Sequence, residues 1–396
     1  MSEESQNIPE LLQAATGGTR EEASAASARL AEIGPPALGP VVEALKQSPP
    51  YALGLHHAIR RMGRPETVDA LSGLLKESNS MLTLVAAEAL GNARDARAAG
   101  PLLELFRDEN AFSEARGAAA LGLARLRADE AVPELLAALK KSARGRKDQE
   151  SASLIQQTVV ALAMLGNQEG AETAFALARH RDNAVREEGA KALRHVVGRG
   201  LFPVLQETRR RKSTDSRQEA LAAIFYLGLR ESVEELVSYV EGGDESAPEL
   251  IDVAARRLRD LTGETFKWNV KPAELREWWE QHRSKFGPNV CYRLGRPLDL
   301  TDFVELLATD DPNERGRLLT ELHLITGEDF GLDLFQPAGE QREVAERARA
   351  WLREKAGTFE RGAVYKYGHK QNLEHIFDQP SARSKKGGRR ESRSES

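Results

Sequence analysis

The feature that most constrains this chain is a phrase that keeps returning. A first apolar helix runs to a small residue, a short turn follows, and a second apolar helix runs to a polar break, as in "AAEALGNARDARAAGPLLELFRDEN". Turn glycines fall at Gly34, Gly63, Gly91, Gly166, Gly198, Gly228, Gly263 and Gly327, and Arg127 stands in for one between Gly91 and Gly166. Spacings of 29, 32 and 35 residues between neighbouring turns fit a two-helix unit, and the larger steps imply longer loops. A unit of this size cannot bury its apolar face alone, so successive units must stack.

The helices are read from spacing. Leu82, Val85, Ala86, Ala89 and Leu90 form one stripe, as do Val185, Gly189, Ala192, Leu193 and Val196. In the second-helix position Val132, Leu135, Leu136 and Leu139 do the same. This is the pattern of a helix buried on one face. The apolar residues are rich in alanine and leucine, which favour helices, and no segment shows sustained strand alternation. Glycine after a last turn suits a left-handed cap, because it lacks the Cβ that makes that conformation costly.

The phrases "ALGNARDARAAGPLLELFRD" and "LRADEAVPELLAALKK" resemble the bacterial HEAT-repeat proteins of the short type first associated with phycobilisome lyases. The resemblance covers residues 18 to 263 well and runs on more loosely to about 360. It implies an all-α fold: a right-handed superhelical, armadillo-type α-solenoid of about eight to nine helix pairs, with the second helices lining a concave surface. The expected divisions are a lead-in at 1–17, the repeat array at 18–263, atypical closing repeats at 264–370, and a disordered basic tail at 371–396. The last sixteen residues, "SARSKKGGRRESRSES", have almost nothing apolar with which to fold.

The residues offer little catalytic chemistry. Cys291 is the sole cysteine, which rules out an intramolecular disulfide and a Cys-rich zinc site. Iron-dependent hydroxylases of this fold carry repeated His-Glu pairs; no His-Glu dipeptide occurs here, and the neighbours His56 and His57 point to different sides of a helix. No nucleophile elbow, P-loop or dinucleotide fingerprint is present. The expectation is a non-enzyme with no cofactor and no metal. The first eighteen residues are acidic and polar, unlike a signal peptide, and no apolar run is long enough to cross a bilayer, so we expect a cytoplasmic protein.

Charge is the one patterned surface property. Loops leaving second helices share one edge of a solenoid, and three consecutive ones are basic: Lys140, Lys141, Arg144, Arg146 and Lys147; then Arg179, Arg181 and Arg186; then Arg209, Arg210, Arg211 and Lys212. Residues 178–217 hold eleven Lys/Arg against five Asp/Glu in a chain whose net charge is −5. Basic side chains near helix C-termini also complement the helix dipole, so part of this pattern needs no ligand. The remainder fits a protein partner with an acidic surface, and nucleic acid is the alternative partner. A third reading is an accessory subunit of a lyase-type enzyme. No membrane contact is expected.

Three of the four tryptophans fall in "LTGETFKWNVKPAELREWWEQHRSKF", and this stretch has a second copy. Gly263, Glu264, Phe266, Arg276, Trp278 and Phe286 match Gly327, Glu328, Phe330, Arg349, Trp351 and Phe359. The match suggests enlarged end repeats in which each phenylalanine after the glycine folds back over its turn. Trp278 and Trp279 cannot share a helix face. Trp278, whose counterpart is also a tryptophan, is expected in the core. Trp279, whose counterpart is Leu352, is the expected contact residue.

Overall fold

The computed structural model describes residues 7–47, 52–142, 149–244, 246–266, 271–331 and 338–379. After α1 (Ile8–Gly17), nine helix pairs follow one another among these residues. The first seven are α2 (Arg20–Ile33) with α3 (Pro35–Gln47), α4 (Leu53–Arg61) with α5 (Val68–Leu74), α6 (Ser80–Asn92) with α7 (Ala99–Arg107), α8 (Ser113–Arg125) with α9 (Val132–Ser142), α10 (Gln149–Met164) with α11 (Gln168–Leu177), α12 (Asn183–Ala192) with α13 (Leu201–Arg209), and α14 (Thr214–Leu227) with α15 (Arg230–Gly242). The eighth pair is α16 (Pro248–Thr262) with α17 (Pro272–His282). After a short α18 (Phe303–Leu306) comes the ninth, α19 (Pro312–Thr326) with α20 (Ala338–Lys355).

Through the first eight pairs each first helix packs on the first helix of the next, and one apolar core runs through the stack. The small residues explain how closely they approach. A Cβ on Gly91 would stand 2.6 Å from the Cα of Gly122, and one on Gly63 would stand 2.1 Å from the carbonyl oxygen of Ala89. These two glycines therefore serve contact between helices, not turning. The left-handed residue after α6 is Arg94, with φ +52°. The cap expectation holds at Gly166, Gly228, Gly263 and Gly327, whose φ angles are all positive.

The last two pairs are copies of a larger unit. In each, the second helix is followed by a two-stranded antiparallel hairpin, β1 (Tyr292–Arg293) with β2 (Arg296–Pro297) and β3 (Tyr365–Lys366) with β4 (His369–Lys370). Each hairpin returns to the C-terminus of its own first helix. The Leu294 and Gly295 amides donate to the Asp260 and Leu261 carbonyls at 2.8 Å, and the Tyr367 and Gly368 amides donate to Leu324 and Ile325 at 2.8 Å. Helix-end carbonyls that would otherwise lack partners are thereby satisfied. Strands this short carry no readable alternation, and the residue pattern does not announce them.

The chain then folds back on the array. The His375 carbonyl accepts from the Gly200 amide and the Ile376 carbonyl from the Phe202 amide, both at 2.9 Å, serving the N-terminus of α13. Ile376 is fully buried, and Arg199 pairs with Asp378 at 2.9 Å. Residues 371–379 are thus docked and do not belong to a disordered tail. The apolar Ile376 in "LEHIFD" is the anchor that the tail's composition concealed. The rest of the expected tail, 380–396, lies outside the described residues.

Candidate interaction edge

Among the expected basic residues, Arg144, Arg146 and Lys147 lie outside the described residues. Several of the others are engaged in holding successive pairs together. Lys46 bonds to Glu77 at 3.2 Å, Arg107 to Glu134 at 2.8 Å, Lys140 to Glu169, Arg179 to Glu207 at 2.6 Å, and Arg209 to Glu235 at 2.9 Å. In each case a cation at or near the end of a second helix reaches a carboxylate in the next pair, 26 to 31 residues on. The sign reverses after α15, where Glu241 accepts from Arg276 of α17 at 2.9 Å. This ladder accounts for part of the basic character of the loops. A search for Lys/Arg and Glu at the repeat spacing could have found it.

Lys141 pairs with Glu109. Arg186 is structural in a different way. It is the fourth residue of α12, and it donates to the His180 carbonyl at 2.9 Å. Arg116 and Arg315, the fourth residues of α8 and α19, likewise donate to Phe106 at 3.0 Å and Thr309 at 2.7 Å. Arg211 donates to the Ala178 carbonyl at the end of α11, and burial lowers its pKa from the ordinary value. Arg181, Arg210 and Lys212 are exposed and take part in none of these pairs. The loops at 179–186 and 209–212 are neighbours in space, and Arg179 and Arg186 add to the positive field at Arg211.

Beside them lies an open pocket of about 230 Å³, lined by Arg209, Arg210, Arg211, Arg217, Ser238, Tyr239, Gly242, Gly243 and Asp244. Arg217 reaches Asp244 at 2.6 Å with both side chains 8% exposed, and Tyr239 donates to the same carboxylate at 2.5 Å. Asp244 accepts so many donors that its carboxyl is held below the usual range, first by the Tyr239 hydroxyl.

Trp279 does not belong to this surface. It is 1% exposed, its Nε1 donates to Glu234, and its ring lies tilted against Phe286. Trp278 is half-buried instead, edge-on to Phe266 at 5.0 Å and stacked on His282 at 4.9 Å. Trp351 repeats that position with Phe330 at 5.6 Å. The expectation is corrected: the matched tryptophans Trp278 and Trp351 mark the flanking ring under the folded-back phenylalanine, while Trp279 and Leu352 supply the core. Trp268 lies outside the described residues.

On the opposite edge, where the chain turns within each pair, the hairpins and the residues beside them cover several of the turns. His369 Nε2 bonds to the Met164 carbonyl at 3.0 Å, and His195 Nδ1 shares a 2.5 Å bond with the Tyr367 hydroxyl. The Tyr292 amide donates to Gly228 at 2.7 Å, and Arg94 pairs with Glu328 at 3.6 Å. Behind the hairpins is a cavity of about 20 Å³ whose lining includes Tyr226, Cys291, Glu321 and Lys366, with room for about one water. Burial pushes the Lys366 ammonium down to about 7 and the Cys291 thiol up to about 12.

A family model described as PBS lyase HEAT-like repeat matches residues 115–141, which span most of α8 and α9. That match and the stack of helix pairs support the same architecture. The chain is a HEAT-repeat helical protein. A search of curated proteins gives no match. Among solved structures, this HEAT-repeat chain is similar to an engineered protein (21% identity over 56% of this chain and 97% of that one, TM-score 0.30). It is also similar to human deoxyhypusine hydroxylase in complex with glycerol (16% identity over 65% of this chain and 97% of that one, TM-score 0.28). At these scores neither likeness carries an argument about the HEAT-repeat chain's activity. Among its described residues no helix is long and apolar enough to cross a membrane.

Proposed function

We propose that this HEAT-repeat protein is a non-catalytic interaction scaffold that docks an acidic surface of a partner protein. The docking element is the loop edge at 179–186 and 209–212. One observation carries the reading. Most cations of the edge are committed to the inter-repeat ladder or to helix carbonyls, yet Arg181, Arg210 and Lys212 remain exposed beside a pocket lined by four arginines and one carboxylate. A field of this kind steers an oppositely charged surface and weakens as salt rises.

The test uses the triple reversal Arg181→Glu, Arg210→Glu and Lys212→Glu, all at exposed positions outside the ladder. Partners retained from a cell extract by the wild-type chain are identified, and their affinities are measured against ionic strength with the purified components. The expected result is loss of binding in the reversed chain, with a wild-type affinity that falls as salt is added. Unchanged partners with unchanged salt dependence would remove the edge from consideration. Retention of duplex DNA or RNA in place of protein would assign the edge to nucleic acid.

A further inference from the structure

The arginine pocket differs from the rest of the edge in one respect: its donors are incompletely used. Arg209 Nε, Arg211 Nη1 and Arg217 Nε are all shielded from solvent and all lack an acceptor. Buried donors are nearly always paired, so three orphans around one pocket call for an explanation. The repeat itself does not require them. The fourth-position arginines Arg116, Arg186 and Arg315 each donate to a backbone carbonyl at the end of the preceding helix or in the loop after it. Arg217 occupies the same helix position in α14 but turns to Asp244, Ser246 and Thr214. Asp244 is already shared by Arg217, Tyr239 and Ser246, which leaves the lining with four guanidinium groups and a single saturated carboxylate.

Guanidinium groups bind tetrahedral oxyanions through paired, charge-assisted hydrogen bonds, and a phosphoryl group offers three terminal oxygens to three missing acceptors. The pocket's volume of about 230 Å³ leaves room for the side chain that carries the group. Arg210 and Lys212 stand exposed at its rim, where they would meet the incoming charge. Seating requires Arg209, Arg211 and Arg217, whose side chains are 13%, 14% and 8% exposed, to rotate their orphaned N–H groups toward the opening. We infer that this pocket receives a phosphoryl group carried on a side chain of the partner protein. The inference rests on the acidic-partner reading above and makes it specific: the partner would bind in a phosphorylated form.

The experiment is calorimetric titration of the full chain with three probes: a short peptide carrying one phosphoserine, the same peptide with serine, and inorganic phosphate. Two variants accompany it. Arg210→Gln removes an exposed donor with no core role. Arg217→Lys keeps a cation for Asp244 while deleting the orphaned Nε donor. The expected result is measurable binding of the phosphoserine peptide alone, weakened about tenfold in each variant, the loss of one charge-assisted hydrogen bond. Equal affinity for the phosphorylated and plain peptides would overturn the inference, as would unchanged affinity in both variants. Inorganic phosphate binding as tightly as the peptide would overturn the assignment to a partner side chain. A glutamate-rich peptide separates the two readings. If it binds in a salt-dependent way that the Arg181, Arg210 and Lys212 reversal abolishes while the phosphoserine peptide does not, the pocket inference fails and the edge reading stands. If none of the peptides binds, both fail.

Discussion

The two edges of this solenoid are built from the same repeat and have opposite fates. Where the chain turns within a pair, several turns of the edge are sealed by the chain's own hairpins, with Tyr367 bonded to His195 and His369 to Met164. Where the chain passes between pairs, the edge stays open and is bound together by ion pairs such as Arg107–Glu134 and Arg179–Glu207. The difference teaches that sealing and linking are separate tasks. Backbone groups at the turns must find hydrogen-bond partners and are covered, whereas charged loop ends can remain in water and still join neighbours.

The largest way to break the sealed edge is through the aromatic row behind the first hairpin, Trp279 to Phe286 to Tyr292, with ring separations of 5.5 and 4.7 Å. Trp279→Ala removes a ring that is 1% exposed and leaves Glu234 without that donor. The expected cost is about 3–5 kcal/mol, read from chemical denaturation. No loss of stability would place the ring outside the core.

Lys366 sharpens the comparison in the opposite direction. Its folded pKa of about 7 lies below the ordinary lysine value, because burial among Tyr226, Cys291, Arg194 and Glu321 disfavours the charged form. Between about pH 7 and the unfolded value near 10.4 the unfolded chain holds a proton that the folded chain releases. This group's contribution to stability therefore rises with pH through that window and falls as pH returns to 7. Lys366→Met is expected to stabilise the chain by about 2–4 kcal/mol at pH 7.5 and to flatten that slope. Denaturation midpoints measured from pH 7 to 10 would show both effects, and an unchanged slope would mean Lys366 is not the titrating group.

The open edge should yield the smallest effect. Arg107→Ala breaks a pair whose side chains are 53% and 42% exposed, so its cost is expected within about 0–1 kcal/mol and should shrink further in salt. A loss much greater than that would show the ladder to be a cooperative network.

Much of the architecture was legible in the chain. The period of the phrase, the stripes such as Leu82, Val85, Ala86, Ala89 and Leu90, and the positive-φ glycines at Gly228, Gly263 and Gly327 depend on neighbours within one unit. So did the duplication at the C-terminal end, whereas the contact of each phenylalanine with Trp278 or Trp351 came from the structure. The basic loops were visible too, but their use was not, because each ladder partner sits a full repeat away and only stacking brings it within reach. The exchange of roles between Trp278 and Trp279 has the same origin, since adjacent helix residues differ by about 100° and only the neighbouring helix decides which one is covered.

What the sequence determined by itself is a stack of helix pairs with one charged edge, since local periodicity and repeat length suffice for that. Tertiary structure alone decided that two-residue hairpins and the segment around Ile376 would fold back onto turns up to 205 residues away. The physical reason is that backbone donors and acceptors are the same at every residue. Which ones meet is settled by the path of the whole chain.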